Sequence, residues 1–390
     1  MKTVITNGKI ITPNGIVNNA SLLIENGIIK ALSQSVMEIS DASYINAENN
    51  YVSPGFIDLH VHGGGGYDFM DGTIEAFKKV AEIHLHHGTT AMMPTTLTST
   101  REEIHSILRC YEEALLANDK GAQFIGVHIE GPYFAMQHRG AQDPRYIRNP
   151  DKEEYTDILN NHSCIKRWSV APELEGALEF GNVLFSKNII PSIAHTDAVF
   201  DDIVKAVANG YNLVTHLYSA MNGVIRRNAF RYAGTVEAAF LLNELDVEII
   251  ADGKHLPVPL LQLVYKNKGA DKIALITDAI RAAGTNVKQS ILGKKEDGIP
   301  VIIEDNVAKL PDRTSFAGSV ATANRLVKVM WKEAGIDLVE VVKMMCTTPA
   351  RIANVRHCMG SIEPGKNADI VIFDDTVSIQ HVFLKGQQIF

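Results

Sequence analysis

The segment SPGFIDLHVHGGGGYDF, Ser53 to Phe69, ends an apolar run in two histidines one residue apart. Side chains alternate faces along a strand, so His60 and His62 point the same way. Further apolar runs deliver the same kind of residue: His128 and Glu130 in GVHIEGP, His195 in SIAHTD, His216 in VTHLY, His255 in ADGKH and Asp278 in LITDA. One such residue is ordinarily a buried, satisfied histidine; six runs ending this way argue for a shared site. A carboxylate with two imidazoles is a zinc-type ligand set that leaves a position open for water, and Glu130, His195 and His216 offer it. His60 and His62 can hold a second ion or assist the first. A bound divalent cation lowers the pKa of its water to about 7, which makes hydroxide available at neutral pH. Asp278 can take that water's proton and return it to a leaving amine, serve as a further ligand, or do both.

Residues this far apart meet only if their strands are gathered side by side. Phe56, Ile57, Leu59 and Val61 read as a strand buried on both faces. From there on, strand-like runs such as TAMMPTTL and DKIALITDAI alternate with helix-like ones such as TIEAFKKVAEIHLHHG and TREEIHSILRCYEEALLAND. Alternation over about 300 residues predicts a parallel sheet closed as a (β/α)8 barrel, with reactive groups at the C-terminal strand ends. The barrel is expected over residues 53–355, with a small β-sandwich module built from residues 1–52 and 356–390. In the N-terminal stretch the Asn7-Gly8 and Asn26-Gly27 pairs are hairpin-turn signals. The run Gly63 to Gly66 lets a sugar or loop approach the site, or forms a tight turn with positive φ.

The bulk properties narrow the partners. The 390 residues are 46% hydrophobic and 21% charged, with a formal charge of −8, which argues against nucleic acid or an anionic membrane. No run of about 18 apolar residues suggests a membrane span, and the first residues, MKTVITNGKIITPNG, do not read as a signal peptide. Cys110, Cys164, Cys346 and Cys358 form no C-x-x-C pair and fit a reducing cytoplasm. His84, His86 and His87 read as the end of a helix where positive charge suits the dipole, and the run DKEEY as a solvated helix face. His105, His138, His162, His357 and His381 have no partner at a telling spacing.

In order along the chain stand PGFIDLHVHG, HIEGPY, IAHTDA, THLYSAM, ADGKH, LITDA, FAGS and GSIEPGKNADIVIFD. Together they resemble the N-acetylglucosamine-6-phosphate deacetylase family of the amidohydrolase superfamily, over essentially the whole length. The resemblance implies deacetylation of N-acetylglucosamine 6-phosphate to glucosamine 6-phosphate and acetate, by a homodimer with one or two divalent ions per subunit. Zinc is the first expectation, with iron, cobalt or manganese also suited to these ligands. It implies metal ligation by Glu130, His195 and His216, acid–base work by Asp278, and sugar binding by His255. It also implies phosphate contacts from Ser219 and Ala220, and from Arg227 of GVIRRNAFR reaching into the neighbouring subunit's site. Gln142 stands where some members carry a histidine that polarises the amide carbonyl, and Ser219 where an asparagine is usual. These departures leave N-acetylgalactosamine 6-phosphate open as the substrate. Hydrolysis of a cyclic amide is disfavoured because no lysine sits in FIGVHIEGP, and a non-catalytic scaffold because each ligand is retained.

Overall fold

The computed structural model describes residues 1–390. The strands that carry the chemistry are β1 (Phe56–Val61), β2 (Thr89–Pro94), β3 (Val127–Glu130), β4 (Ile165–Val170), β5 (Ile190–Ile193), β6 (Leu213–Val214), β7 (Asp246–Ile250) and β8 (Ile273–Ile276). β1 pairs with β2, and β3 through β8 pair in succession, all parallel. The result is a curled parallel sheet. Single parallel bridges, Thr95 to His128 and Val61 to Ala279, span from β2 to β3 and from the end of β8 back to β1. Every residue of β1, β2, β7 and β8 is buried, which is why these strands lack the apolar–polar alternation of a half-exposed strand.

Seven helices follow the first seven strands in turn: α1 (Ile74–His86), α2 (Arg101–Ala117), α3 (Lys152–Asn161), α4 (Ala177–Ser186), α5 (Phe200–Ala208), α6 (Thr235–Leu241) and α7 (Val258–Lys268). Side chains start several of them. The Thr73 hydroxyl accepts from Ala76 N, Thr100 from Glu103 N, and the Asp151 carboxylate from Glu154 N. α2 then buries Ile104, Ile107, Leu108, Tyr111 and Ala114, a stripe at helical spacing against the sheet. The DKEEY run is less solvated than expected: Asp151 is the cap of α3, and Glu154 is buried, accepting from Tyr133 and pairing with Arg148.

The two ends of the chain share one eight-stranded sheet. Tyr51–Pro54 lies between Lys2–Thr12 and Ile370–Phe373, so residues more than 300 positions apart are bonded neighbours. Asn26-Gly27 does turn a hairpin, with φ of 52° and 79°. Asn7-Gly8 does not. It lies inside the strand Lys2–Thr12, where Asn7 adopts φ 53° and the register slips on both sides of Gly8, a β-bulge. The same conformational freedom serves a turn or a bulge, and here the hairpin turns instead between Thr12 and Gly15.

After β8 the chain makes a three-stranded antiparallel excursion, Gln289–Leu292, Ile299–Glu304 and Val307–Lys309, that the sequence reading had not separated from the alternation. No helix is long and apolar enough to cross a membrane.

Candidate active site

His60 lies near the end of β1 and His62 just beyond it, Glu130 ends β3, and His195, His216 and Asp278 stand two residues beyond β5, β6 and β8. Each of those last three has a positive φ, of 47°, 30° and 50°, a region that costs a non-glycine residue about 1–3 kcal/mol. The strain turns each side chain inward at the strand end. Glu130 Oε1 lies 3.1 Å from His216 Nε2, 3.5 Å from His195 Nε2 and 3.4 Å from His60 Nε2, and its Oε2 lies 3.4 Å from His62 Nε2. Asp278 Oδ1 completes the cluster at 3.1 Å from His62 Nε2 and 3.4 Å from His60 Nε2. The two ring nitrogens of His60 and His62 are themselves 3.1 Å apart.

These spacings suit a cation. A tetrahedral ion with bonds of about 2.0–2.1 Å holds its ligand atoms about 3.3–3.4 Å apart. Glu130, His195 and His216 form one such group and His60, His62 and Glu130 another, sharing the carboxylate. The electrostatics call for positive charge at the same place. Burial alone would lower His60, but Glu130 and Asp278 push it up to about 10. Burial would likewise raise Glu130, yet the imidazoles of His60, His195 and His216 hold it well below the carboxylate range. Asp278 is also lowered, His60 and His62 outweighing its burial.

Neighbouring groups fix the rings. His195 Nδ1 donates to the His138 carbonyl at 2.8 Å, leaving the Nε2 lone pair turned to Glu130. His138 thus has a partner that its spacing did not reveal, and its own Nε2 faces Asp197 at 3.2 Å. Gln142 Nε2 donates to Glu130 Oε2 at 2.7 Å while its Oε1 accepts from Thr98 N at 2.9 Å, so this amide orients the carboxylate. Asp58, buried two residues before His60, accepts from Thr277 Oγ1 at 2.5 Å and ties β1 to the residue before Asp278. One layer deeper, Arg167 donates to both oxygens of Glu248 and to Ser192 and Thr215. Sequence reasoning missed Asp58, Arg167 and Glu248. The signal was there: a charged residue in the middle of a run buried on both faces must have a buried partner.

His128 belongs to that deeper layer. Its Nε2 meets Ser169 Oγ at 2.7 Å and its Nδ1 lies 3.3 Å from Thr95 Oγ1, so it is a satisfied interior histidine although it shares a face with Glu130.

Above the cluster opens a cavity of about 310 Å³ that includes His62, Glu130, His195, His216 and Asp278. Gln142, Ser219, Ala220 and His255 line it, together with Tyr218 and Phe316, which the sequence reading had not named. His255 is held by its Nδ1, 2.9 Å from Asp252 Oδ2, and packs against Phe316. Gly318 has φ 63°, and a Cβ there would meet the Asp278 carbonyl at 3.0 Å and Ile280 at 2.5 Å. Arg227 is apart from this cavity. It sits on an exposed hairpin, Ile225–Arg227 paired with Phe230–Tyr232, with its guanidinium 3.9 Å from Asp197.

The glycine run resolves as a turn. Gly63–Gly64 pairs with Tyr67–Asp68 across Gly65 and Gly66, whose φ values are 61° and 91°, and none of the four lines the cavity. A Cβ on Gly63 would meet the Tyr67 carbonyl at 2.4 Å, and one on Gly64 the His84 ring at 2.9 Å. His84 itself is not a surface charge complementing the helix dipole. It is buried, its Nε2 donates to the Gly63 carbonyl at 2.9 Å, and burial lowers it to about 4, so it is neutral. His105 and His162 also find partners: His105 Nδ1 is 2.8 Å from His162 Nε2, and its Nε2 is 2.8 Å from Asp157.

The sequence matches the amidohydrolase family over residues 51–389. It is 30% identical over 368 residues to N-acetylglucosamine-6-phosphate deacetylase of Vibrio furnissii, covering 94% of this chain and 89% of that one. It is 28% identical to N-acetylgalactosamine-6-phosphate deacetylase of Escherichia coli O157:H7, over 97% of both chains. The crystal structure of N-acetylglucosamine-6-phosphate deacetylase from Pasteurella multocida superposes with a TM-score of 0.93 at 28% identity, over 100% of this chain and 99% of that one. The chain belongs to the amidohydrolase superfamily and, within it, to the N-acetylglucosamine-6-phosphate deacetylase family.

Proposed function

We propose that this protein hydrolyses the acetamide of N-acetylglucosamine 6-phosphate, releasing glucosamine 6-phosphate and acetate. The observation that carries the reading is the convergence of Glu130, His195, His216, His60, His62 and Asp278 beneath one cavity, on a chain similar to named deacetylases along its whole length. Glu130, His195 and His216 hold a divalent cation, and His60 and His62 hold a second or share the first. A cation bound there supplies Lewis-acid activation of the amide carbonyl and of water, zinc being the ion best matched to nitrogen and carboxylate ligands at these spacings. Asp278, kept ionised by its histidine neighbours, takes the proton of the attacking water and delivers it to the nitrogen as the C–N bond breaks. Gln142 has one N–H engaged by Glu130 and the other free to donate to the acetyl oxygen. His255 holds a sugar hydroxyl, and Ser219 with the Ala220 amide binds phosphate.

Arg227 acts across a homodimer. Its hairpin exposes Val224, Phe230 and Tyr232 beside Arg226 and Arg231, a mixed apolar and basic face suited to a second copy whose phosphate site it completes. The bridges at Thr95 and Val61 support closure of the eight strands into a (β/α)8 barrel over residues 53–355. The terminal segments, 1–52 and 356–390, make the small module, and its inner residues Ile5, Leu22, Val52, Ile370 and Phe383 pack into one core as a sheet folded over itself would. Four unpaired cysteines fit a cytoplasmic enzyme. A second reading, deacetylation of N-acetylgalactosamine 6-phosphate, is favoured by the similarity to the enzyme of that name.

The test is a comparison of kcat/KM for the two 6-phosphates and for unphosphorylated N-acetylglucosamine, with an Arg227→Ala variant. A lost charged contact to phosphate lowers kcat/KM for the preferred 6-phosphate by about 10–100-fold and leaves the unphosphorylated sugar unchanged. Equal turnover of phosphorylated and unphosphorylated sugar would overturn the substrate assignment.

A further inference from the structure

A second cluster of metal-type ligands lies at the other end of the sheet. Glu112 is on α2, His162 caps the C-terminus of α3, and Cys164 stands immediately before β4. The Cys164 carbonyl accepts from Val127 N, which places it at the N-terminal ends of β3 and β4, opposite the strand ends that carry Glu130 and His195. A carboxylate oxygen of Glu112, a ring nitrogen of His162 and the Cys164 sulfur all lie within 4.8 Å of one another. Glu112 Oε1 is 3.3 Å from His162 Nδ1.

The back of the His162 ring is organised as ligating histidines commonly are. Its Nε2 meets His105 Nδ1 at 2.8 Å, and His105 Nε2 meets Asp157 Oδ2 at 2.8 Å, a chain ending on a carboxylate that Arg101 also holds at 2.7 Å. With Asp157 accepting from His105 and His105 accepting from His162, the tautomers run one way and leave the His162 Nδ1 lone pair turned toward Glu112 and Cys164. The His162 side chain is only 4% exposed. A cysteine thiol gives up its proton when it ligates a cation. Glu112 and His162 line an open groove together with Glu102, His105, Arg109 and Asn161, which gives an ion a way in on their side.

We propose that Glu112, His162 and Cys164 form a second, structural cation site for a zinc-class divalent ion, with the fourth position taken by water. One thiolate, one imidazole and one carboxylate select such an ion over magnesium or calcium. Binding would tie α2 to the α3–β4 connection and displace the proton of Cys164.

Cobalt(II) reads this site separately from the deacetylase centre, because no cysteine joins the cluster around Glu130. Added to the metal-loaded enzyme, cobalt is expected to produce a sulfur-to-cobalt charge-transfer absorption, bind one more equivalent than it does in Cys164→Ser, and raise the unfolding temperature of the wild type alone. His105→Ala is expected to bind the extra equivalent about 10–100-fold more weakly, and Glu112→Gln to lose it, while both keep deacetylase activity as evidence of folding. The proposal is overturned if the wild type gives no such absorption, or if the absorption survives Cys164→Ser or is lost only in Cys110→Ser.

Discussion

Two polar layers lie one above the other inside the same sheet, and both are buried. In the lower one, Arg167, Glu248, Ser169, Ser192, Thr215 and His128 bond to one another, with Thr95 and the Leu59 carbonyl at the edge of the set. In the upper one, ring nitrogens and carboxylate oxygens face one another at 3.1–3.5 Å, an arrangement of lone pairs that needs protons or a cation between them. The backbone differs too, since His195, His216 and Asp278 have positive φ and no residue of the lower layer does. Burial and polarity alone therefore do not mark a site. Unspent ligand capacity on a strained backbone does, and the satisfied layer beneath gives it a rigid floor.

The largest expected effect tests that unspent capacity. Glu130 is the one residue common to both ligand groups, so Glu130→Gln should lower bound metal and cut kcat/KM by about 10³-fold or more, with little change in thermal stability. Chelation of the wild type should reproduce the loss and added divalent metal reverse it, as metal analysis beside the assay would record. Full metal content in an inactive Glu130→Gln would mean that Glu130 is not the ligand the two groups share and acts in the reaction instead.

Asp278→Asn tests whether Asp278 carries the proton or ligates the cation. Metal content should stay near that of the wild type while kcat falls by about 10²–10⁴-fold with little change in KM. A parallel loss of metal would make Asp278 chiefly a ligand.

The lower layer should respond in stability. Arg167→Met leaves Glu248 as an uncompensated buried charge and should cost about 3–5 kcal/mol in urea unfolding, whereas Arg167→Met with Glu248→Leu should recover most of it. Should the single variant keep its stability and lose its metal, the two layers would be one functional unit, and the contrast drawn between them would fail.

How far each layer was legible in the sequence follows from the same contrast. Polar residues directly after apolar runs announce a site, because the run must be buried and its polar end needs a partner: the convergence of His60, Glu130, His195, His216 and Asp278 was readable for that reason. Arg167 in IKRWSV was hidden, because one charged residue amid apolar neighbours does not name its partner, and Glu248 is 81 positions away. His105 and His162 were set aside on spacing, yet they are bonded across 57 positions, a proximity created only when α2 and α3 pack side by side. The strand–helix alternation was readable because most strand residues are apolar and buried, with few polar interruptions. The excursion from Gln289 to Lys309 was not, since its first two strands are partly exposed and all three pair only with one another, outside the parallel sheet.

His84 offers the finest test, because it resembles the upper layer in one respect only. It is buried, and its Nδ1 lacks a protein partner just as those of His60, His62 and His216 do, but no carboxylate faces it. Burial, with a smaller contribution from His87, therefore lowers it to about 4, where the carboxylates beside His60 raise that ring to about 10. The sign follows from the unfolded value of about 6.5: below it the unfolded chain takes up a proton that the folded chain refuses. Stability from this residue is thus constant above about 6.5 and declines as the pH falls toward 4, by about 3 kcal/mol in all. His84→Gln can keep the hydrogen bond to Gly63 without titrating, so its urea midpoint should fall less than that of the wild type between pH 7 and pH 4.5, both proteins being compared in the metal-free form. Identical slopes would mean that His84 is charged in the folded protein. Facing carboxylates would then no longer distinguish the histidines of the site from a histidine that is merely enclosed.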